Sequence, residues 1–441
     1  VFAPDREAWL EYDLTRLVAE LGQPIKPKIA LIDGIGLTGN PMARAPEQQS
    51  LAMLRELYDV EVLSGDVNAF PEGTAVVAVA HPQGLSNATL YALDQWVMSG
   101  GALMAFVDPH AETQVGPQGM PAPDAASDFS TLFEGWGVDF DATSAVADPA
   151  YALVTTRRIG GRDASVGNPA WLRLDAGAFD QDTPALARLS AMVMTTAGSF
   201  STAEDGPTLV PLVTASDQAV LASATDASDR FGDPRDLIAE GETPSAAPVV
   251  IARLEGTVSS AFADGKPEGS EWEAEHIAET SKINVLLSGD ADMLTDRNWI
   301  QQRNILGAQV PQAFANNGDF FLNAVEQMAG GAALADLRGR AVDWRPLTRI
   351  DAMERDAEIQ YRATEQALLD RIAETEAALR DLAPEGYDGS ALVSAEMVAE
   401  AENLRADLLA ARAELRQVQY DLRSDVEALQ AGVTTLNAVS Y

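Results

Sequence analysis

The chain has 441 residues, 46% of them hydrophobic, which is enough to bury a sizeable core in two or three domains. Its 67 acidic against 30 basic residues give a formal charge of -37 at pH 7, a balance that repels phosphate backbones and excludes nucleic acid as a partner. No cysteine occurs, so a thiol nucleophile, a Cys-ligated zinc site and a disulfide frame are ruled out.

The chain opens Val1-Phe2-Ala3-Pro4-Asp5, with neither an initiator Met nor a signal-type apolar stretch, and no window reaches the ~18 to 20 apolar residues that cross a bilayer. Such a start implies a fragment or a processed product, and the removed part could include membrane spans. Over 5–21, Trp9, Leu10, Leu14, Leu17, Val18 and Leu21 fall at helical spacing before Gly22 and Pro24 end the run, so residues 1–27 read as a lead-in helix and linker.

An α/β rhythm follows over 28–150. The apolar run Lys28-Ile29-Ala30-Leu31-Ile32-Asp33 predicts a buried parallel strand. A helix over 46–58, strands over 60–63 and 75–80, a helix over 86–99 closed by Gly100-Gly101, and a strand over 102–107 come next. Alternation of this kind predicts a mostly parallel sheet with helices on both faces. From 151 to 280 the character changes: short β-branched runs at 191–196, 209–214 and 249–251 lie between Gly, Pro, Asp and Ser clusters. That stretch reads as a β-rich insertion with mobile loops at 222–247 and 256–269. The rhythm returns over 281–345 with a strand at 283–287, a turn at 288–292 and a helix at 320–328, closing the first domain.

Residues 346–441 predict an antiparallel helical hairpin of coiled-coil type. Tyr361, Leu368, Ile372, Leu379 and Leu382 form one stripe; Met397, Ala401, Leu404, Leu408, Ala411, Leu415, Val418, Leu422 and Leu429 form the other. Pro384, Gly386 and Gly389 stop the first helix before Ser390 caps the second. At 1.5 Å per residue the second arm is roughly 60 Å long, so it protrudes or lies along a partner, with Leu404, Leu408, Leu415 and Leu422 as its interaction seam.

Candidate chemistry is sparse. Gly34-Ile35-Gly36-Leu37-Thr38-Gly39 satisfies G-x-G-x-x-G directly after a strand, where a dinucleotide pyrophosphate would sit. Yet Asn40-Pro41 intervenes and the next helix begins only near Pro46, so a plain Gly-rich loop competes with a cofactor site at Gly34, Gly36 and Gly39. Asp33, Asp108, His110, Asp290 and Asp292 all fall at or beyond strand ends. The four aspartates are candidates for a hard cation such as Ca²⁺, against the plainer reading that each caps a following turn. His81, His110 and His276 are too scattered for a metal cluster or a triad, and no P-loop occurs. No catalytic residue and no cofactor is assigned, and the chain reads as a non-enzyme; a nucleotide- or Ca-binding α/β protein or enzyme built on the Gly34–Gly39 loop is the alternative.

The run from Pro71-Glu72-Gly73-Thr74 through His81-Pro82, Leu85-Ser86 and Tyr91-Ala92-Leu93-Asp94-Gln95-Trp96-Val97-Met98-Ser99-Gly100-Gly101 to Val107-Asp108-Pro109 resembles the GldG-type auxiliary subunits of ABC transporters, a family associated with gliding motility. Glu11-Tyr12-Asp13-Leu14, Leu132-Phe133-Glu134-Gly135-Trp136-Gly137-Val138, Gly289-Asp290-Ala291-Asp292-Met293-Leu294, Phe321-Leu322-Asn323 and Leu337-Arg338-Gly339-Arg340 match it in the same order. The resemblance implies a non-catalytic periplasmic domain, anchored by flanking membrane spans absent from this sequence. It would couple or scaffold a permease and an ATPase to envelope partners, and self-association is compatible with it. It also implies a likeness to glutamine amidotransferase folds, whose cysteine nucleophile has no counterpart here.

Overall fold

Strand β1 (Lys28–Asp33) shows why the sheet forms. Ile29 and Leu31 enter one apolar layer while Ala30 and Ile32 enter another, because successive side chains of a strand point to opposite faces. The same division holds for β3 (Thr74–Ala80), with Val76 and Ala78 against Val77 and Val79, and for β4 (Ala102–Phe106), with Met104 against Leu103 and Ala105. A strand apolar on both faces needs a cover on both, and helices supply it.

The computed structural model describes residues 26–330 apart from 41–44, 115–121, 123, 160–161, 188, 204–205, 230–231 and 306–307, together with the isolated positions 371, 375, 403, 404, 407 and 410. The chain divides into two units, Val1–Asp343 and Trp344–Tyr441. The lead-in helix predicted over 5–21 and the hairpin with Leu408, Leu415 and Leu422 lie outside the described residues; Leu404 is described and is helical.

Helices α1 (Gln49–Leu57) and α6 (Asn317–Met328) cover the first face with Leu51, Leu54, Phe320, Phe321 and Val325. Helices α2 (Asn87–Met98) and α3 (Ser130–Trp136) cover the second with Leu90, Leu93, Val97, Leu132, Phe133 and Trp136. The Ser86 hydroxyl accepts from Thr89 N–H at 3.3 Å to start α2, the role short hydroxyl side chains fill at helix N-termini. Gly100 follows its end at a φ of 89°, in the left-handed region that glycine adopts freely.

The central sheet runs β2-β1-β3-β4-β16-β13-β10-β5, with β11 also paired to β13. Here β2 is Asp59–Leu63, β5 Val138–Phe140, β10 Phe200–Thr202, β11 Thr208–Thr214, β13 Val249–Glu255 and β16 Asn284–Ser288. Pairings from β2 to β16 are parallel and those from β16 onward are antiparallel. The chain leaves β1 toward β2 on one side and returns to place β3 on the other, which puts the change of winding between β1 and β3.

The stretch expected as an insertion contributes to this sheet. β13 pairs with β16 from Ile251↔Ser288 to Leu254↔Val285, inside the region read from sequence as separate. Its second half escapes a periodicity reading because Arg253 interrupts the apolar run; that side chain sits outside the core in an ion pair with Glu255 at 2.5 Å. The remainder is separate in pairing: β7 (Ala152–Ile159), β8 (Arg162–Asp175) and β9 (Ala191–Thr195) form an antiparallel three-stranded sheet, and β6 (Ser144–Ala147) pairs with β12 (Val220–Ser223). The 222–247 stretch, expected as a loop, holds the end of β12 and two short helices, α4 (Ala224–Ala227) and α5 (Asp236–Glu240), packed through Ala224, Ala227 and Leu237. Two small antiparallel pieces completing the strand set were not predicted: β14 (Val258–Ser259) with β15 (Glu279–Thr280), and the hairpin β17 (Ile300–Ile305) with β18 (Ala308–Ala313).

Candidate functional site

The carboxyl ends of β1, β3, β4 and β16 deliver Asp33, His81, Asp108 and the Asp290–Asp292 turn to one edge of the parallel half, the edge at which open α/β sheets bind ligands. Three of the predicted aspartates meet there. One carboxylate oxygen from each of Asp108, Asp290 and Asp292 lies within 4.8 Å of the other two, and all three side chains are fully buried. Asp33 and His110 do not belong to this group among the described residues.

Each carboxylate oxygen accepts a hydrogen bond from the chain. Asp108 Oδ1 accepts from His110 N–H at 2.8 Å and Oδ2 from Ala291 N–H at 3.1 Å. Asp290 Oδ2 accepts from Thr195 N–H at 2.6 Å and Oδ1 from Met293 N–H at 3.0 Å. Asp292 Oδ1 takes the Thr113 hydroxyl at 2.5 Å and the Thr113 N–H at 3.2 Å, and its Oδ2 takes Glu112 N–H. The cluster therefore fastens the 108–113 loop, the end of β9 and the turn after β16 to one another. The backbones there are in close contact: Gly198 N–H donates to Gly289 O at 2.8 Å, and a Cβ on Gly289 would lie 2.1 Å from Gly198 O.

Burial governs the protonation of these acids, because a charged carboxylate is disfavoured away from water. It raises Asp108 well above the usual range, with the neighbouring Asp290 and Asp292 adding to the effect. Asp290 is likewise raised by burial and then by Asp292. Asp292 is raised by burial to about 6, held down by its bond from the Thr113 hydroxyl and by the nearby Arg297. The arrangement is close enough to share a proton among carboxyl groups or to offer oxygens to one hard cation.

Sequence reasoning missed the partners. Glu112, 3% exposed, accepts from Trp171 Nε1 at 3.3 Å and from the Thr196 hydroxyl at 3.2 Å. Arg297 reaches the Glu112 carbonyl at 3.0 Å. Ser127 Oγ accepts from Asp108 N–H at 2.9 Å and lies 2.8 Å from His81 Nδ1, so the turn after β3 is tied to the turn after β4. Burial lowers the pKa of His81, an effect partly offset by the Gln114 side chain. The one local signal for this group was an acid, Glu112, four residues after Asp108.

The Gly34–Gly39 loop is built differently. Asp33 Oδ1 accepts from Gly36 and Leu37 N–H at 2.8 and 2.9 Å, and Oδ2 from Thr38 N–H and Oγ1 at 2.9 and 3.0 Å. The amides that a phosphate would need already hold the carboxylate of the strand's own last residue. Helix α1 starts ten residues after Gly39, and its first amide, Gln49 N–H, donates to Asp296 at 2.7 Å. Gly34 is required by contact, since a Cβ there would lie 2.0 Å from His81 O; Gly36 and Gly39 have positive φ.

Asp94 and Gln95, central to the sequence resemblance, are also structural. Asp94 is fully buried and accepts from Trp136 Nε1 at 3.0 Å, Ser260 Oγ at 2.7 Å and Ala261 N–H at 2.9 Å. Gln95 exchanges bonds with the backbone of Ile277 at 2.7 and 3.1 Å. The pair clasps α2 to α3 and to the 260–277 segment.

Among known proteins, a family model described as an "ABC-type uncharacterized transport system" matches residues 26–324. No protein of curated function matches the chain. A solved structure of a ThuA-like protein from Bacteroides uniformis aligns over 69% of this chain and 91% of its own, at 8% identity and a TM-score of 0.31, too remote to carry a conclusion.

Proposed function

We propose a coupling role from one premise: the chain belongs to the family of ABC-type transport systems matched over residues 26–324, and is an auxiliary component of such a system. In this reading the α/β body is a non-catalytic, extracytoplasmic module of the GldG type, standing on the periplasmic side of the membrane beside a permease and an ATPase. It links their movements to envelope partners, as in gliding motility. The family match carries the reading. The architecture is compatible with it: the strand-end carboxylates are engaged by chain amides, and the Gly-rich loop is closed on Asp33. No helix among the described residues is long and apolar enough to cross a membrane, so the anchor in this reading comes from sequence beyond them.

The test is reconstitution of the protein with the permease and ATPase of an ABC-type transport system from the same source. Stoichiometric co-purification and a change in ATPase rate on adding the protein are expected. A purified chain that turns over a substrate alone, losing activity on Asp290→Asn, or one that never associates with either subunit, would sink the proposal.

A further inference from the structure

We propose that β7 is a docking edge for an extended, acidic segment of another protein, which adds a strand to the β7-β8-β9 sheet; this inference stands independently of the coupling role. β7 has eight residues, and from Leu153↔Asn168 to Ile159↔Arg162 it pairs with β8 in unbroken antiparallel register. It is the outer strand of its sheet, and among the described residues none of its backbone groups bonds outside the ladder to β8. Every second residue of an outer strand turns its N–H and C=O away from the ladder, so β7 presents a row of open donors and acceptors.

Natural sheets guard such an edge by keeping it short, by placing charge or proline along it, or by bulging it. The ends of the main sheet follow this rule: β5 has three residues, and β2 has five, with Asp59 and Glu61 exposed along it. β7 does not. It holds neither proline nor lysine, its register shift falls at its first residue, and Val154, Thr155 and Thr156 are β-branched, the class that suits a pleated strand. Val154, at 44%, is the most exposed large apolar side chain among the described residues, and Thr156, two positions on and so on the same face, is exposed as well. The far end of the strand sets the charge of the partner. Over residues 157–163, Arg157, Arg158 and Arg162 stand against one acid, Asp163, in a chain whose formal charge is -37. Arg157 is held over the Trp171 ring, 5.7 Å from its centroid, and by the Asp229 carbonyl at 3.2 Å. At physiological salt charges act over a Debye length of about 8 Å, so a strand laid along β7 meets these arginines more than the acidic remainder. An acidic segment is attracted there and a basic one is repelled.

The test is fluorescence anisotropy of the whole chain with a labelled peptide that has a valine-threonine core and a pair of glutamates at each end, alongside a counterpart with lysine in place of glutamate. The acidic peptide is expected to bind at least about tenfold more tightly than the lysine one. Two further acidic peptides carry N-methyl groups at alternate backbone amides, in the two possible registers. One should lose about tenfold or more, because a single row of its donors faces β7, and the other should keep its affinity. The double variant Arg158→Glu/Arg162→Glu should weaken the acidic peptide by about tenfold. Hydrogen exchange on the wild type tests the same edge without a substitution: the acidic peptide should slow exchange within 152–159 and leave 59–63 in β2 unchanged. Equal affinity for the acidic and lysine peptides, full affinity in both methylated peptides, or protection of β2 instead of β7 would overturn the proposal. So would the absence of any anisotropy change, or protection of β7 that rises with protein concentration and not with peptide, which would assign the edge to a second copy of this chain.

Discussion

Two turns at the same sheet edge use aspartate in opposite ways. After β1, Asp33 draws in amides three to five residues downstream and shapes only its own loop. After β16, Asp290 and Asp292 take their donors from far along the chain: Thr195 lies 95 residues from Asp290, and Thr113 lies 179 from Asp292. The first is half-exposed and the second pair is fully buried. A carboxylate that organises its neighbours can stay near water, whereas one that joins distant segments must follow them into the interior, where burial raises its proton affinity.

Removing the long-range acceptor should have the largest effect. Asp290→Ala leaves the Thr195 and Met293 amides buried without partners and is expected to cost about 4 kcal/mol in denaturant unfolding, at 1–3 kcal/mol per orphaned group. Asp290→Asn, which keeps one acceptor oxygen, should cost about half as much. A loss below about 1 kcal/mol for the alanine variant would show that the cluster is not a fastening.

Next comes pH. Asp292 is raised from 3.8 to about 6, so the folded state holds this proton more tightly than the unfolded chain. Its contribution, about 3 kcal/mol for a difference of roughly two pK units, is complete below the unfolded value and is lost as pH rises through about 6. Asp108 and Asp290 shift in the same direction. Unfolding free energy should therefore fall from about pH 4 to just above pH 6 in the wild type and fall less steeply over that range in Asp292→Asn. Parallel pH profiles for the two proteins would contradict the assignment.

Gly34→Ala sharpens the comparison on the other turn. The new methyl would press on the His81 carbonyl, for a cost of about 2 kcal/mol by thermal melt. Smallest should be Asp33→Ala, about 1 kcal/mol, because the freed amides can turn to water. A larger loss for Asp33→Ala than for Asp290→Ala would reverse the distinction between local and long-range carboxylates.

Local pattern made the parallel half legible. The strands at 28–33 and 102–106 and the helices at 49–57 and 87–98 follow from apolar runs, a Ser86 cap and a Gly100 stop, all signals contained within a dozen residues. The antiparallel half was read poorly because Arg253 breaks the run in β13 and because β5 and β10 are three residues each. Asp108, Asp290 and Asp292 were legible as strand-end acids, and the two-apart spacing of Asp290 and Asp292 in a turn was suggestive, but no local signal set Asp108 apart from Asp33.

What the sequence determined by itself is what periodicity and short-range bonding encode: alternating elements, two covered faces, an edge rich in aspartate, and a Gly-rich turn whose nearest carboxylate lies at its own start. Only the tertiary structure decided that β13 joins the main sheet and that three of the four strand-end aspartates converge while the fourth closes its own loop. The physical reason is distance along the chain. Contacts between residues a hundred or more positions apart depend on how the layers pack and leave no periodic trace in the sequence.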